Sequence, residues 1–209
     1  MTFHFGPGPD AYLAFDQGFA VVLDLANNRY WALDADALSR PEPTPAIEAL
    51  LNCGSLRALA PPQAQIGQAI RSAARITHTP PCKAPTLDAA AWGRFLIACL
   101  WARWVVSTGR LDVARRTLVR LRSRQASTQD AGEAVARFEQ MRPLWPGDQV
   151  CLFDSLTLAR FLLSEGRDAK IVFGVRTRPF SAHCWVESEQ EVLLDLTGQF
   201  ASYVVICRL

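Results

Sequence analysis

The sequence predicts an α+β protein, because two stretches with strand patterning flank a long stretch with helical patterning. Residues 12–34 alternate as half-buried strands do, whereas residues 86–164 repeat apolar side chains at the wider spacing of helices. Apolar runs bounded by turn residues return in 169–196. We therefore expect an N-terminal module built on three strands, followed by a domain of helices and an antiparallel sheet.

Composition and charge narrow the class of protein. At 209 residues the chain suits one large domain or two small ones. Half of its residues are hydrophobic and a fifth are charged, as in an ordinary globular protein. The formal net charge of +2 is too small to indicate a nucleic acid or a membrane surface as partner. The six cysteines are scattered and form no C-x-x-C pair, so we expect reduced thiols in a cytoplasmic protein without a metal site.

The sequence shows neither a signal peptide nor a clear membrane span. The first ten residues lack the basic and apolar regions of a signal peptide. The most hydrophobic window, 92–107, is interrupted by Arg94 and Arg103 and is shorter than the ~20 apolar residues that a membrane span requires. We interpret this window as a core helix, with a membrane anchor as the less favoured alternative.

Residues 12–33 are predicted to form a small antiparallel β-meander. Asn27 and Asn28 can take the positive φ values of a tight hairpin turn. A turn at these two residues would place Leu25 opposite Tyr30 on the neighbouring strand. The three strands are predicted at 12–15, 19–25 and 29–33.

Short helices are predicted after this meander. Thr44 followed by Pro45 is typical of a helix start, and Gly54 is positioned to end that helix. A further helix is expected from Pro62 to Ile76. Residues 77–85 contain three prolines and are interpreted as a linker. The sequence thus predicts a winged-helix-like module in residues 1–80 and a second domain in residues 81–209.

The third strand, Arg29 to Leu33, would lie at a sheet edge with two aromatic residues on it. An exposed edge has to be covered or used, and the addition of a peptide strand is one use. The alternative is a structural module without a site of its own. The spacing of the residues does not decide between a peptide-binding edge and a purely structural module.

The middle of the chain predicts two helices around Gly109. The first is apolar nearly all round, so we expect it to be buried. The second, in the region 110–124, keeps four apolar residues on one side and surrounds them with arginines. Such a run is usually a solvated helix face, and a docking surface for an acidic peptide is the alternative. No aromatic residues are interleaved with the arginines, which disfavours nucleic acid. Asp130 with Glu133 resembles a capping box that would start another helix.

Cys151 is placed where a thiol becomes reactive. Asp148 is a natural N-cap, which would put Cys151 at the third helical position, and Gly166 is expected to end the helix. The positive helix end and its free N–H groups stabilise a thiolate. The pKa of such a thiol can fall from ~8.5 to roughly 3.5–7.5, with a cationic histidine helping.

A hairpin near the C-terminus provides the histidine. Residues 182–187 and 191–196 are apolar-rich runs on either side of a turn centred on Glu189. An aspartate beside a histidine fixes the imidazole tautomer and stabilises the imidazolium. The predicted register pairs three positions directly: Glu187 with Glu191, Trp185 with Leu193, and His183 with Asp195.

Each of these residues also has an ordinary structural interpretation. A single cysteine is usually a small core residue, and a single histidine is usually a satisfied structural group. The combination of a cysteine at a helix start, a histidine on a strand and a matched aspartate favours a thiol nucleophile system. Cys184 is a rival nucleophile, but the alternation of the strand points it inward.

Three blocks carry a family resemblance. They read C-L-F-D-S-L-T-L-A-R-F-L-L-S-E-G, then V-F-G-V-R-T-R-P-F-S-A-H-C-W-V-E, then V-L-L-D. Together they resemble the lasso-peptide maturation peptidases, the B proteins of lasso-peptide gene clusters, whose fold is transglutaminase-like (papain-like). The N-terminal V-V-L-D-L-A-N-N-R-Y-W-A-L-D resembles the leader-recognition module fused to these peptidases. Cysteine follows the histidine here, where alanine is common in the family.

The resemblance implies a cytoplasmic cysteine peptidase that cuts a ribosomal precursor between leader and core. Cys151 would be the nucleophile, His183 the base and Asp195 the orienting acid. The backbone N–H of Cys151 is the expected oxyanion donor, with Gln149 as a weaker candidate. The alternatives are acyl transfer to an amine, as in transglutaminases, and a non-catalytic adaptor that only binds the precursor.

The resemblance also implies partners. The leader would add as a strand beside the third strand, in contact with Arg29, Tyr30, Trp31 and Leu33. A separate ATP-using, asparagine-synthetase-like cyclase would join the freed core. We expect no cofactor in this chain itself, because it has no phosphate-binding glycine loop, and we assign ATP to the cyclase.

Overall fold

The strands and helices of the computed structural model confirm an α+β protein with a strand-rich N-terminal part. It describes residues 2–64, 71–72, 74, 85–123, 131–148, 150–189, 191–195 and 198–209. Its strands are β1 (Thr2–Pro7), β2 (Ala11–Asp16), β3 (Phe19–Asp24), β4 (Arg29–Asp34), β5 (Leu56–Ala64), β6 (Lys170–Thr177), β7 (Phe180–Ser188), β8 (Glu191–Leu194) and β9 (Val204–Arg208). Its α-helices are α1 (Pro45–Asn52), α2 (Ala89–Thr108), α3 (Leu111–Ser123), α4 (Gly132–Met141) and α5 (Cys151–Ser164).

The strands form three sheets: a pair of β1 with β5, a three-stranded sheet in the order β2-β3-β4, and a four-stranded sheet in the order β8-β7-β6-β9. Internal contacts divide the chain into two units. The first comprises Met1–Ser72, Phe173–Ala182 and Ala201–Cys207, and the second comprises Ala73–Val172, His183–Phe200 and Arg208–Leu209.

The three-stranded sheet has the predicted strands but a different turn. Asp24 pairs with Arg29, so four residues rather than two form the β3–β4 loop. Tyr30 lies opposite Leu23, and the predicted pairing with Leu25 is wrong. The reason is Asp24, whose carboxylate accepts hydrogen bonds from the backbone N–H (3.0 Å) and the side chain (2.9 Å) of Asn27. The loop therefore closes around the buried aspartate instead of at the asparagine pair.

The β1–β5 pair is an addition to the predicted module. β5 runs through Pro61 and Pro62 to Ala64, so the helix predicted from Pro62 is wrong at its start. The rest of that predicted helix and the predicted linker at 77–85 lie almost entirely outside the described residues. Proline is typical of a helix start, but here the proline pair lies in a strand of a two-stranded sheet.

Helix α1 forms as its local sequence predicts. The Thr44 hydroxyl accepts a hydrogen bond from the N–H of Ile47 (3.4 Å), Pro45 occupies the first turn, and Gly54 adopts φ 78° after the helix end. A cluster of buried side chains forms the apolar core around α1 and the N-terminal strands: Phe3, Phe5, Ala11, Ala20, Val22, Leu38, Ile47, Leu50 and Leu56. The module therefore has a core of its own.

Helices α2 and α3 meet at Gly109 as predicted, since this residue is left-handed with φ 68°. The expectation that α2 is buried all round is wrong. One side packs on α5, with Phe95 and Ala102 fully enclosed, but Ile97 and Leu100 remain 56% and 61% exposed. Among the described residues α2 is also the one helix long and apolar enough to cross a membrane, by length and composition only.

Helix α3 is amphipathic as predicted, with Leu111, Ala114 and Leu118 buried. Some arginines of α3 form ion pairs within the chain. Arg116 pairs with Asp112 along the helix, while Arg122 pairs with Asp168 (3.1 Å). The predicted cap of α4 at Asp130 is wrong, because Ala131 occupies the N-cap position without a side-chain cap. Asp130 itself and Arg124 lie outside the described residues.

Candidate active site

Cys151 is the first residue of helix α5, although its predicted cap is wrong. Val150, not Asp148, occupies the N-cap position, and it makes no side-chain cap hydrogen bond. The backbone carbonyl of Asp148 is held instead by Arg142 Nη2 at 3.1 Å, two residues upstream of the N-cap. Cys151 nevertheless lies in the first turn, where backbone N–H groups lack helical partners. The predicted end at Gly166 is confirmed by its left-handed φ of 80°.

The β7–β8 hairpin differs from the predicted register. Ser188 pairs with Glu191 and Val186 pairs with Leu194, with an irregularity between Val186 and Glu187. Leu193 is thus an extra residue in β8, which is the signature of a β-bulge. The predicted pairing of Glu187 with Glu191 is wrong, as is the pairing of Trp185 with Leu193. A bulge shifts the strand end, and it has no clear signal in the sequence.

His183 and Asp195 are in contact despite this register error. Asp195 follows the last residue of β8, and its Oδ1 lies 2.7 Å from Nε2 of His183. The other carboxylate oxygen, Oδ2, accepts the backbone N–H of Phe200 at 2.9 Å. Both side chains are almost fully buried, with 3% and 2% exposed. Asp195 is therefore fixed by both oxygens and holds one ring nitrogen of His183.

Cys151 completes the group of three predicted residues. It hydrogen-bonds with the thiol of Cys184 and with the imidazole of His183. Because Asp195 occupies Nε2, the ring nitrogen left to face the thiol is Nδ1. The other hydrogen-bond partner of Cys151 is Cys184, which the sequence suggests only as a rival nucleophile. Its side chain is 4% exposed, so it supports Cys151 from the interior.

These contacts set the protonation of the site. The pKa of the Cys151 thiol is lowered to about 4 by the hydrogen bond from Cys184, then by that from His183, and these outweigh burial. Burial lowers the pKa of His183, but hydrogen bonds with Cys151 and Asp195 outweigh it and raise that pKa above 6.5. The pKa of Cys184 is raised because its proton is donated to Cys151 and because it is buried. Both shifts favour a thiolate at Cys151 beside an imidazolium at His183.

Trp185 and Glu187 support the histidine from the same strand. The Trp185 ring stacks on His183, with 5.9 Å between ring centroids and 25° between planes. Its indole N–H donates to Glu187 Oε1 at 2.7 Å, and Arg208 lies 3.5 Å from the other Glu187 oxygen. Glu187 is only 4% exposed, and these two partners satisfy its carboxylate.

A buried ion pair at the start of α5 was missed from the sequence. Arg142 Nε pairs with Asp154 Oδ1, and 8% and 2% of these side chains are exposed. Arg142 also donates to the backbone carbonyl of Trp145 (3.4 Å) and lies over the Phe153 ring, 5.5 Å from its centroid. The sequence signal is Asp154 itself, since a carboxylate inside an apolar helical pattern requires a buried partner. The pair ties the segment before Cys151 to the helix that carries it.

No metal-ligand cluster accompanies these residues in the described part of the chain. There, no three His, Cys, Asp or Glu side chains cluster as a metal ion would require. The five described cysteines are all free thiols. Gln149, the weaker oxyanion candidate, lies outside the described residues. The arrangement is suited to nucleophilic chemistry at sulfur with proton transfer by the imidazole.

Comparison with known proteins identifies the family. Residues 94–208, more than half of the chain, match the family described as "Transglutaminase-like superfamily". The chain belongs to the transglutaminase-like superfamily. The matching span begins inside α2, ends in β9 and includes Cys151, His183 and Asp195.

A second match is more specific but shorter. This transglutaminase-like chain is 49% identical over 59 residues to the "Microcin J25-processing protein McjB" of Escherichia coli. The aligned stretch covers 28% of this chain and 28% of that relative's length. No solved structure matches. The two sequence matches confirm the resemblance to lasso-peptide B proteins.

Proposed function

We propose that this transglutaminase-like protein is a cysteine peptidase that removes the leader from a ribosomally made lasso-peptide precursor before cyclisation. The observation that carries the proposal is the arrangement of Cys151, His183 and Asp195, in which a thiol with a lowered pKa at a helix start hydrogen-bonds with a buried imidazole that Asp195 holds. The similarity to a microcin J25-processing protein supports the choice of a precursor peptide as substrate.

In the proposed reaction the Cys151 thiolate attacks the scissile carbonyl carbon and forms an acyl-enzyme. His183 gives its proton to the leaving amine and then takes a proton from the water that releases the acyl group. Asp195 orients the imidazole through its hydrogen bond at Nε2. The backbone N–H of Cys151 stabilises the oxyanion, since it belongs to the first helical turn and Val150 provides no side-chain cap.

Leader recognition is proposed for residues 1–80, with residues 81–209 as the peptidase domain. Strand β4 lies at an edge of the three-stranded sheet, which supports the addition of a leader strand there. Arg29 is exposed and Trp31 is 37% exposed on this edge. Tyr30 and Leu33 are half-buried, with Tyr30 in an edge contact with Phe180 at 6.1 Å. These four β4 residues are the proposed leader contacts.

The proposed partners follow from the proposed pathway. The precursor supplies the leader, and a separate ATP-dependent, asparagine-synthetase-like cyclase consumes the freed core in the cytoplasm. ATP is assigned to that cyclase. This chain uses only its own thiol, imidazole and carboxylate.

The reaction is tested by incubating the full chain with its precursor peptide and weighing the products. Two fragments whose masses sum to precursor plus water are expected, and Cys151→Ala should give none. A mass loss equal to ammonia would replace the proposal by acyl transfer to an amine. Unchanged precursor that still binds the chain would replace it by an adaptor function. Cleavage by Cys151→Ala would refute the proposed nucleophile.

The leader site is tested by calorimetric titration of a leader peptide into the full chain. Trp31→Ala should weaken binding, because this ring is exposed beside the proposed leader strand. Trp104→Ala is the matched control, since Trp104 is 42% exposed but lies on α2. Equal effects of the two substitutions would contradict leader binding at β4.

A further inference from the structure

An apolar pocket opens beside Cys151 and is not used by the proposed chemistry. It has a volume of about 350 Å³ and lies between α2 and the segment that leads into α5. Val106 lines it from α2, Trp145 from the leading segment, and Val150 and Phe153 from the start of α5. Val150 directly precedes Cys151 in the chain, so one wall of the pocket is bonded to the residue that carries the thiol.

Ring stacking and hydrogen bonds hold the walls of the pocket in place. The rings of Trp145 and Phe153 stack, with 6.2 Å between centroids and 22° between planes. The buried Arg142 guanidinium lies over the Phe153 ring and holds the carbonyls of Trp145 and Asp148. Arg142 is in turn held by Asp154. The walls are therefore set before a ligand arrives, which lowers the entropic cost of binding.

Size and chemistry restrict the occupant. The volume is at the small end of the ~300–1,000 Å³ range of ligand pockets, so it suits a single bulky side chain better than a whole peptide segment. Four of the lining residues, Val106, Trp145, Val150 and Phe153, present large apolar side chains, and the charged lining residues are Arg103 and Asp148. Val150 is 49% and Val106 38% exposed, so an apolar group that enters would remove their surfaces from water.

We propose that this pocket is a specificity subsite that binds one bulky apolar side chain of the substrate within a few residues of the scissile bond. The inference rests on the proposed peptidase function and adds a substrate preference to it. An extended peptide advances about 3.3 Å per residue, so a residue close to the scissile carbonyl is within reach of a pocket that begins at Val150. Arg103 and Asp148 also line the pocket, but most of its surface is apolar, so a charged residue at that position would lose hydration against apolar walls over most of its length.

The first test uses full-length variants and the precursor peptide. Val106→Trp should fill the pocket and lower kcat/KM for the precursor about tenfold or more, the scale on which apolar pockets discriminate. Leu100→Trp is the matched control, because Leu100 is exposed on the same helix but does not line the pocket. Replacing single precursor residues by aspartate on both sides of the cleaved bond should identify one apolar position with a comparable loss. Equal rates for both tryptophan variants, or the absence of such a position, would overturn the subsite.

The second test does not depend on cleavage. The alkylation rate of Cys151 is measured with iodoacetamide and with N-hexyl-iodoacetamide, by mass spectrometry of the peptide that contains Cys151. The hexyl reagent should react faster with the wild type and with Leu100→Trp, and this preference should disappear in Val106→Trp. Iodoacetamide should react equally with all three, which also shows that the variants are folded.

The two tests separate the subsite from the peptidase. If the wild type leaves the precursor intact but prefers the hexyl reagent, the peptidase proposal fails and the apolar subsite beside Cys151 stands. If Val106→Trp keeps the preference, the subsite fails whether or not the precursor is cleaved. Val106→Asp is a second variant that should abolish the preference through charge rather than size.

Discussion

Replacing Arg142 by methionine should destabilise the protein by about 3–5 kcal/mol, because it leaves the carboxylate of Asp154 charged and unpaired in the interior. The two side chains are only 8% and 2% exposed, so solvent cannot replace the lost partner. The change also removes the hydrogen bonds to the carbonyls of Trp145 and Asp148. At about 2–4 °C per kcal/mol for a chain of this size, Tm should fall by roughly 6–20 °C.

Thermal and urea unfolding followed by circular dichroism measure this effect. Arg116→Met is the matched control, because Arg116 pairs with Asp112 on the surface, where 55% of its side chain is exposed. Such a pair contributes about 0–1 kcal/mol. The double variant Arg142→Met/Asp154→Leu should regain most of the loss, since neither charge then remains unpaired. If Arg142→Met costs no more than Arg116→Met, the argument from burial is refuted.

Three further predictions concern the protonation of the site. The rate at which iodoacetamide alkylates Cys151 should stay high as pH falls and drop only near pH 4, where the lowered pKa lies; a midpoint near 9 would contradict the thiolate. At alkaline pH, precursor cleavage should be lost as pH rises through the raised pKa of His183, because the leaving amine needs the imidazolium proton. Cys184→Ala should raise the pKa of Cys151 and Cys184→Ser should raise it less, since serine keeps an O–H donor; equal alkylation profiles in wild type and Cys184→Ala would exclude this role.

The same pKa directions give the pH dependence of stability. The folded pKa of Cys151 is depressed, so its contribution to stability is lost as pH falls through about 4. The folded pKa of His183 is raised, so its contribution is lost as pH rises through that value. The Cys151 contribution declines from the ordinary thiol pKa of about 8.5 down to about 4, and the His183 contribution declines as pH rises above about 6.5, so the two change in opposite directions as pH rises from about 6.5 to the raised pKa of His183.

Features that depend on a few neighbouring residues were predicted from the sequence. Thr44 caps α1, Gly109 separates α2 from α3, and Gly166 ends α5, because a cap or a positive φ is decided by one side chain and its own backbone. The contact of His183 with Asp195 was also predicted, since a short turn keeps the two strands of a hairpin adjacent.

Features that depend on distant residues were not predicted from the sequence. The register of the β7–β8 hairpin changes at Leu193, where a bulge adds one residue to the strand. Ile97 and Leu100 are exposed because the packing of α2 on α5 covers only one side of an apolar helix. Arg142 and Asp154 lie twelve positions apart and meet only when the segment before α5 folds back on the helix. Pattern and spacing along the chain do not show which distant residues meet; for the buried ion pair they indicate only that Asp154 needs a partner.

The stacking of Trp185 on His183 gives the site an optical signal of its own. An imidazolium in ring contact with an indole quenches its fluorescence more strongly than a neutral imidazole does, and these centroids are 5.9 Å apart. The indole is fully enclosed and its N–H is held by Glu187, so its emission responds to the histidine rather than to bulk solvent. The charge state of His183 can thus be followed through the Trp185 part of the protein's emission, to which the other five tryptophans of the chain add a background.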